Sequence, residues 1–596
     1  MLPDIPGDSA LTRLFESKRV QDEVSWFALP GGQALYSAGS PADHLYVLRT
    51  GRLGAFRREE GQEPQFLGVI RPGEPAGEMA LIAGANHSAE VVALRDSEVF
   101  AVPADVFFDA CEEDPSIMIE LARLMILRTR QEARRGPAGE PSVFGFVAVG
   151  QPGPLRPTVE RIEREIADLG YTVTTIGVEG SSAPLEWFSE VERTHDFVLY
   201  LAEAADLAWG QTISRQVDRL FRVGRGDKAP PREPLPPSPL QAQQLVDLIL
   251  LQPPTGRPQG SDAWSQATSA ARLFHLRRAE PEDIRRLARV ITGQSVGLVL
   301  SGGGARAYAH IGAIKALRER GVPIDFIGGV SMGAIIGAGL AMGWDGAEMD
   351  QRIRQAFVDT SPLDDIALPL LAMTHGVKVS ERLAHHFGET DIADLWLPFF
   401  CLSSNLTTGA YQLHRRGLLR QALRASISLP GILPPATDGP NVLVDGAVMK
   451  NFPADIMRAA QLGPIVGVDV TAARSITADD VARPSSVWRW IRSGQWRLGP
   501  PIVSLLMRSA TVSTGRDLAA ARAATDVLVL PEVAGIEIRD FAAYATAVEA
   551  GYRATLQALD SLNGPVTGLR RRPALHEMAA LSQRAPLRRP SPAAAE

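Results

Sequence analysis

The stretch Asp325–Gly343, DFIGGVSMGAIIGAGLAMG, decides how the chain is read. A short apolar run leads into Gly329-Val330-Ser331-Met332-Gly333, and a helix of small residues follows. Strand, G-x-S-x-G turn and helix together form the setting of a nucleophile elbow, where a serine is held on a strained turn. Bulky side chains at Gly329 or Gly333 would crowd that turn. The competing reading is a glycine-rich packing turn between a strand and a helix.

Two further segments weigh on the choice. In VGLVLSGGGARAYAHIGAIKAL, residues 296–317, an apolar strand runs into Gly302-Gly303-Gly304 and then a helix. Backbone N–H groups at such a junction face outward, and the helix dipole there favours negative charge. The ligand is a phosphate or the oxyanion of acyl transfer. The run lacks both the Lys-Ser/Thr of a P-loop and G-x-G-x-x-G spacing. In NVLVDGAVMKNFPAD, residues 441–455, a strand ends at Asp445 ahead of a glycine. A carboxylate there points into a cleft, or it caps an Asp-Gly turn.

A serine hydroxyl needs a base to take its proton. His310, His375, His385, His386 and His414 are on offer, and none falls in a late strand-end turn. His310 lies inside the helix after the glycine loop, where a packed or capped ring is expected. His385 and His386 belong to a mixed helix and read as surface. The remaining arrangement has two members: Ser331 as nucleophile and Asp445 as base, with the glycine-loop amides as oxyanion hole.

The set SGGGARA, GVSMG and VDGA resembles the patatin-like phospholipase family over roughly residues 295–560. The resemblance implies a Ser331–Asp445 dyad and oxyanion donors among Gly302, Gly303, Gly304 and Arg306. It departs at Ser301, which opens the glycine run, and at Ala307, where the family often has glycine. Residues 275–306 and 500–515 resemble bacterial members of the neuropathy-target-esterase-like branch. That branch places cyclic-nucleotide-binding-type domains ahead of the patatin domain.

The N-terminal third agrees with that order. Residues 20–110 alternate apolar and polar positions between frequent glycines, which suggests a small antiparallel barrel. An amphipathic helix follows over 115–135. PAGEMALIAGANHSAEVVAL, residues 75–94, resembles a cyclic-nucleotide phosphate cassette. Gly77 and Glu78 match the pair that holds the ribose, and His87 stands where the cassette presents an arginine. A neutral imidazole cannot make the bidentate charged contact of a guanidinium. The pocket is therefore expected to be degenerate and cyclic nucleotide is not expected to bind.

The expected architecture is multidomain: a cyclic-nucleotide-binding-like β-barrel at 15–135, a small α/β domain at 142–255, a helical linker at 260–294, an α/β patatin-like domain at 295–563 and a flexible tail at 564–596. The proline-rich loop 224–240 is not expected to enter a core. Trp488, Trp490 and Trp496 alternate with Arg489, Arg492 and Arg497, a pairing suited to lipid headgroups or to a covered core.

Composition excludes several classes. With 61 basic and 68 acidic residues the net charge is −7, so nucleic acid is not an expected partner. Two cysteines give no disulfide framework or zinc spacing and point to a reducing compartment, the cytoplasm. No signal peptide or spanning helix is expected, so contact with the inner membrane would be peripheral. No metal or cofactor is called for. The expected function is release of fatty acid from phospholipids or lysophospholipids, with the N-terminal domain as regulator. The rival is a regulatory or scaffold protein with a vestigial hydrolase domain.

Overall fold

In the computed structural model, residues 13–57, 65–134, 141–183, 185–235, 245–359, 372–471 and 515–577 are described, together with 238, 240, 241, 243, 365 and 367. Three sheets organise them. Trp488, Trp490 and Trp496, suited to lipid headgroups or to a covered core, lie outside the described residues.

The C-terminal sheet has eight strands. Its parallel centre runs Phe399–Asn405, Phe326–Val330, Gly297–Leu300, Ile465–Val468 and Val527–Val529. Antiparallel strands Asn441–Asp445 and Ala410–His414 flank Phe399–Asn405. Both faces are apolar. Leu298, Leu300, Ile327 and Cys401 pack on one side, and Val299, Val330, Phe400 and Leu402 on the other. Such two-sided burial is what a parallel sheet needs, and it explains why these strands read as continuous apolar runs.

The middle sheet is parallel throughout, six strands in the order Arg272–Arg277, Val246–Gln252, Arg219–Arg225, Val143–Ala148, Phe197–Ala202, Val173–Ile176. Its first strand corrects the expected helical linker over 260–294. RLFHLR carries charges that suggest a solvated segment, yet Arg272 and Arg219 both pair with Asp247, which is wholly buried. Neutralised in this way, the segment enters the sheet. The helix after it, Pro281–Ile291, buries residues nearly all round. Its Ile284, Leu287 and Ile291 share one apolar cluster with Phe146 of the middle sheet and Val299 of the C-terminal sheet. One apolar cluster thus spans two sheets.

The N-terminal sheet is antiparallel and dominated by two 14-residue strands, His44–Arg57 and Glu90–Pro103. Register shifts bend them around an interior of Leu48, Leu53, Val91 and Val99. The helix Pro115–Arg134 follows, as the helical spacing predicts.

Two segments expected outside the core are partly inside it. Leu240 of the proline-rich loop is fully buried beside Val217 and Val246. The start of the tail returns to the middle sheet: Tyr171 Oη donates to Arg572 O at 2.8 Å, and Asp196 accepts from the Leu575 amide at 2.7 Å. Ala574 is buried there, so packing fixes 564–577 despite its basic composition. Among the described residues no helix is long and apolar enough to cross a membrane.

Candidate active site

The strand Phe326–Val330 delivers the chain to Ser331 at its C-terminal end. Ser331 has φ 54° and ψ −129°, a conformation that costs an L-residue about 1–3 kcal/mol. Neighbours hold it. Its amide donates to Ser426 Oγ at 2.9 Å, and its carbonyl accepts from the Ala334 amide at 2.9 Å. A Cβ on Gly333 would stand 2.5 Å from Ser301 O, and one on Gly329 would stand 2.8 Å from the Ala334 backbone. The turn has room for no other residue at either place. The helix Met332–Ala341 that leaves it is buried along its whole length.

Asp445 ends its strand directly opposite Ser403. Its Oδ2 accepts the Ser331 hydroxyl at 2.6 Å and its Oδ1 accepts the Ala447 amide at 2.9 Å. The carboxyl is 1% exposed, and among the described residues no cation pairs with it. Burial pushes it up to about 6, against the pull of the two hydrogen bonds.

The glycine loop lies against the serine. A Cβ on Gly302 would be 3.0 Å from Ser331 Cβ. Of the four expected oxyanion donors, the structure commits two elsewhere. The Gly302 amide donates to Asn451 Oδ1 at 3.0 Å. The Arg306 amide donates to Gly303 O at 3.2 Å and its guanidinium to Ile536 O at 2.6 Å, so Arg306 fastens the loop. The Gly303 and Gly304 amides donate to nothing among the described residues. Gly304 has φ 57° and leaves no space for a side chain beneath Ile538 O.

Sequence reasoning missed Asn451. It brackets one residue, accepting from the Gly302 amide at 3.0 Å and donating to Gly302 O at 3.2 Å and to Thr471 Oγ1 at 2.8 Å. Its only sequence signal was its place, six residues after Asp445 on the same turn. Ser426 was missed as well, since a serine inside a helix announces nothing.

No histidine hydrogen-bonds to Ser331 or Asp445 among the described residues. His310 is buried, with Nε2 donating to Ser301 O at 2.8 Å, and burial lowers its imidazole to about 4. His414 pairs with Ser403 Oγ at 2.8 Å and is lowered to about 4 by the same cause. His385 is exposed and His386 half-buried.

In the N-terminal domain, Gly77 is left-handed and Glu78 and His87 are buried. The His87 ring stacks on Tyr36, centroids 3.7 Å apart, and sits where a Cβ on Gly77 would meet it at 3.1 Å. Burial lowers its pKa despite Asp43 nearby. The three cassette residues come together around a neutral ring.

The patatin-like phospholipase profile matches residues 298–458, and the cyclic nucleotide-binding domain profile matches 26–114. An uncharacterized NTE family protein of Mycobacterium tuberculosis is 33% identical over 566 residues, covering 91% of this chain and 93% of its own. Patatin-like phospholipase domain-containing protein 7 of Rattus norvegicus is 26% identical, covering 80% of this chain and 40% of that protein. The human domain-containing protein 6 is 27% identical over 89% and 44%. The chain thus spans about two fifths of these animal relatives. Among solved structures, Thermus thermophilus Catabolite Activator Protein aligns with 20% of this chain and 59% of its own, at 26% identity and TM-score 0.19. The chain belongs to the NTE family: it is a patatin-like phospholipase, a lipid ester hydrolase, carrying a cyclic nucleotide-binding domain at its N-terminus.

Proposed function

We propose that the protein releases fatty acid from phospholipids or lysophospholipids through a Ser331–Asp445 dyad. The observation that carries this reading is the 2.6 Å hydrogen bond from Ser331 Oγ to a buried carboxylate with no cation beside it. Ser331 Oγ attacks the acyl carbonyl and its proton passes to Asp445 Oδ2. The negative charge formed on the carbonyl oxygen is met by the Gly303 and Gly304 amides. The tetrahedral adduct collapses, the lipid alcohol leaves with the proton from Asp445, and an acyl-serine remains. Water then attacks the ester, Asp445 takes its proton, and the acid departs with Ser331 restored.

A fluorophosphonate probe should label the wild type and fail to label Ser331→Ala. Fatty-acid release from lysophosphatidylcholine should fall by about three orders of magnitude or more in that variant. Retained release would falsify the dyad. An unlabelled wild type would favour a scaffold role with a vestigial hydrolase domain.

The N-terminal domain is read as a regulator that does not need cyclic nucleotide. The stacked, neutral His87 supports this, because a charge-assisted pair with phosphate is worth about 1.5–3 kcal/mol and the imidazole offers none. Calorimetry with cyclic AMP and cyclic GMP should show no micromolar binding, and micromolar binding of either would overturn this part.

A further inference from the structure

A cavity of about 680 Å³ lies away from Ser331, within the range of about 300–1,000 Å³ typical of small-molecule sites. Val322, Pro323 and Ile324 line it just before the strand Phe326–Val330, whose far end carries Ser331. Five strand residues separate the two places by about 17 Å. The opposite wall comes from the shared helix Pro281–Ile291, and Pro565–Thr567 close one side. The cavity therefore stands where the middle domain meets the catalytic sheet.

Its walls have two characters. Leu169, Ala288, Ile324, Leu340, Leu397 and Val566 make an apolar floor. Arg277, Arg285, Arg286, Arg289, Arg318 and Arg320 also face it. Much of that charge is answered. Arg277 and Arg286 share Asp283, Arg289 takes Asp325 and Glu282, and Arg320 takes Asp560. Some donor capacity is left over. Arg286 is 6% exposed, and its Nε, 3.8 Å from Asp325, makes no hydrogen bond among the described residues. Arg285 lies within ion-pair distance of Glu165 and Glu282, at 3.6 and 3.7 Å, but hydrogen-bonds to neither. Arg318 gives one N–H to Trp344 O at 3.0 Å and has no carboxylate within ion-pair distance among the described residues. Burial lowers its pKa, with distant Asp345 opposing. A guanidinium without a counter-ion, beside two others whose hydrogen-bonding capacity is not filled and above an apolar floor, matches one ligand chemistry: an anionic head on a hydrocarbon tail.

We propose that this cavity is a second lipid site, which takes the carboxylate or phosphate of a single-chain amphiphile between Arg285, Arg286 and Arg318 and lays its tail on the apolar floor. The occupant does not compete with substrate, because it enters at the other edge of the sheet. It bears on the strand that positions Ser331 and on the helix shared with the middle domain, which gives that domain a ligand of its own. The proposal holds whether or not Ser331 and Asp445 form the dyad.

Trp396 lines the cavity and reports on it. Full-length Ser331→Ala protein, chosen to prevent turnover, is titrated with 9,10-dibromostearate while tryptophan fluorescence is followed. Saturable quenching is expected, and Trp396→Phe should abolish the saturable part. The double variant Arg285→Gln/Arg318→Gln should weaken binding about tenfold or more, and the methyl ester should bind as weakly to both proteins. Displacement by oleate ahead of lysophosphatidate identifies a carboxylate ligand, and the reverse order a phosphate. Fluorophosphonate labelling of Arg285→Gln/Arg318→Gln in the Ser331 background checks that its fold is intact. Quenching that persists in Trp396→Phe, equal binding of acid and ester, or binding indifferent to the two arginines overturns the proposal.

Discussion

In the proposed mechanism Asp445 serves as a base only when ionised, and its surroundings resist ionisation. Burial raises the carboxyl to about 6, so protonation removes the active form as pH falls through that value. The pH profile of kcat/KM for lysophosphatidylcholine should show an acidic limb of unit slope with an apparent pKa near 6, flat above about 7. A limb at the ordinary carboxylate range near 4 would show that another group accepts the proton. Asn451 makes the second expectation at this scale. Since it fixes the Gly302 peptide and not the substrate, Asn451→Ala should lower kcat about tenfold to a hundredfold and leave KM within about threefold. A change confined to KM would place Asn451 against substrate instead. The serine and the aspartate were legible because each sits at a strand end beside glycine, where sequence leaves a mark. Asn451 and Ser426 were not, because their partners are backbone atoms 149 and 95 residues away.

The strand–turn–helix unit stores strain at one residue. Ser331 occupies a conformation open to glycine and hostile to any Cβ. Ser331→Ala keeps the Cβ and loses only the hydroxyl bond to Asp445. Ser331→Gly removes the Cβ too and should be the more stable of the two inactive variants by about 1 kcal/mol, measured by chemical denaturation. Equal stabilities would mean the turn is unstrained. The glycines of this unit are legible in sequence for the same steric reason: Gly329 and Gly333 face backbone atoms, which cannot withdraw. The strand Arg272–Arg277 was illegible because its arginines look solvent-borne until Asp247 is seen beneath them. The barrel at 20–110 could be anticipated from its alternation, though its bending depends on register shifts that alternation does not encode.

At the scale of the molecule the three sheets form a continuous stack. Phe56, Val92 and Leu94 of the N-terminal sheet share a cluster with Tyr200, Trp209 and Ile213 of the middle domain. A buried charge group crosses the same boundary: Arg95 and Arg52 reach Glu192 at 2.7 and 3.1 Å, and Arg52 also reaches Asp218 at 3.1 Å. Glu192→Gln would leave two buried guanidinium groups with one carboxylate, a loss of about 3–5 kcal/mol. Amide exchange should accelerate in Glu90–Pro103 and Leu185–Thr194 and stay unchanged around Ser331. Unaltered exchange at the boundary would show that the apolar cluster alone holds the domains together. The shared helix Pro281–Ile291 carries a consequence for how such a protein is inherited. The patatin profile matches residues 298–458, but part of the apolar cluster on that sheet's second face, including Ile284, Leu287 and Ile291, precedes the match. A fragment cut at the profile's edge would strip Val299, Phe400 and Leu402 of the middle-domain part of that cluster, leaving Phe452, Ala454 and Met457 as cover. Moving the hydrolase together with its middle domain would keep that cluster whole.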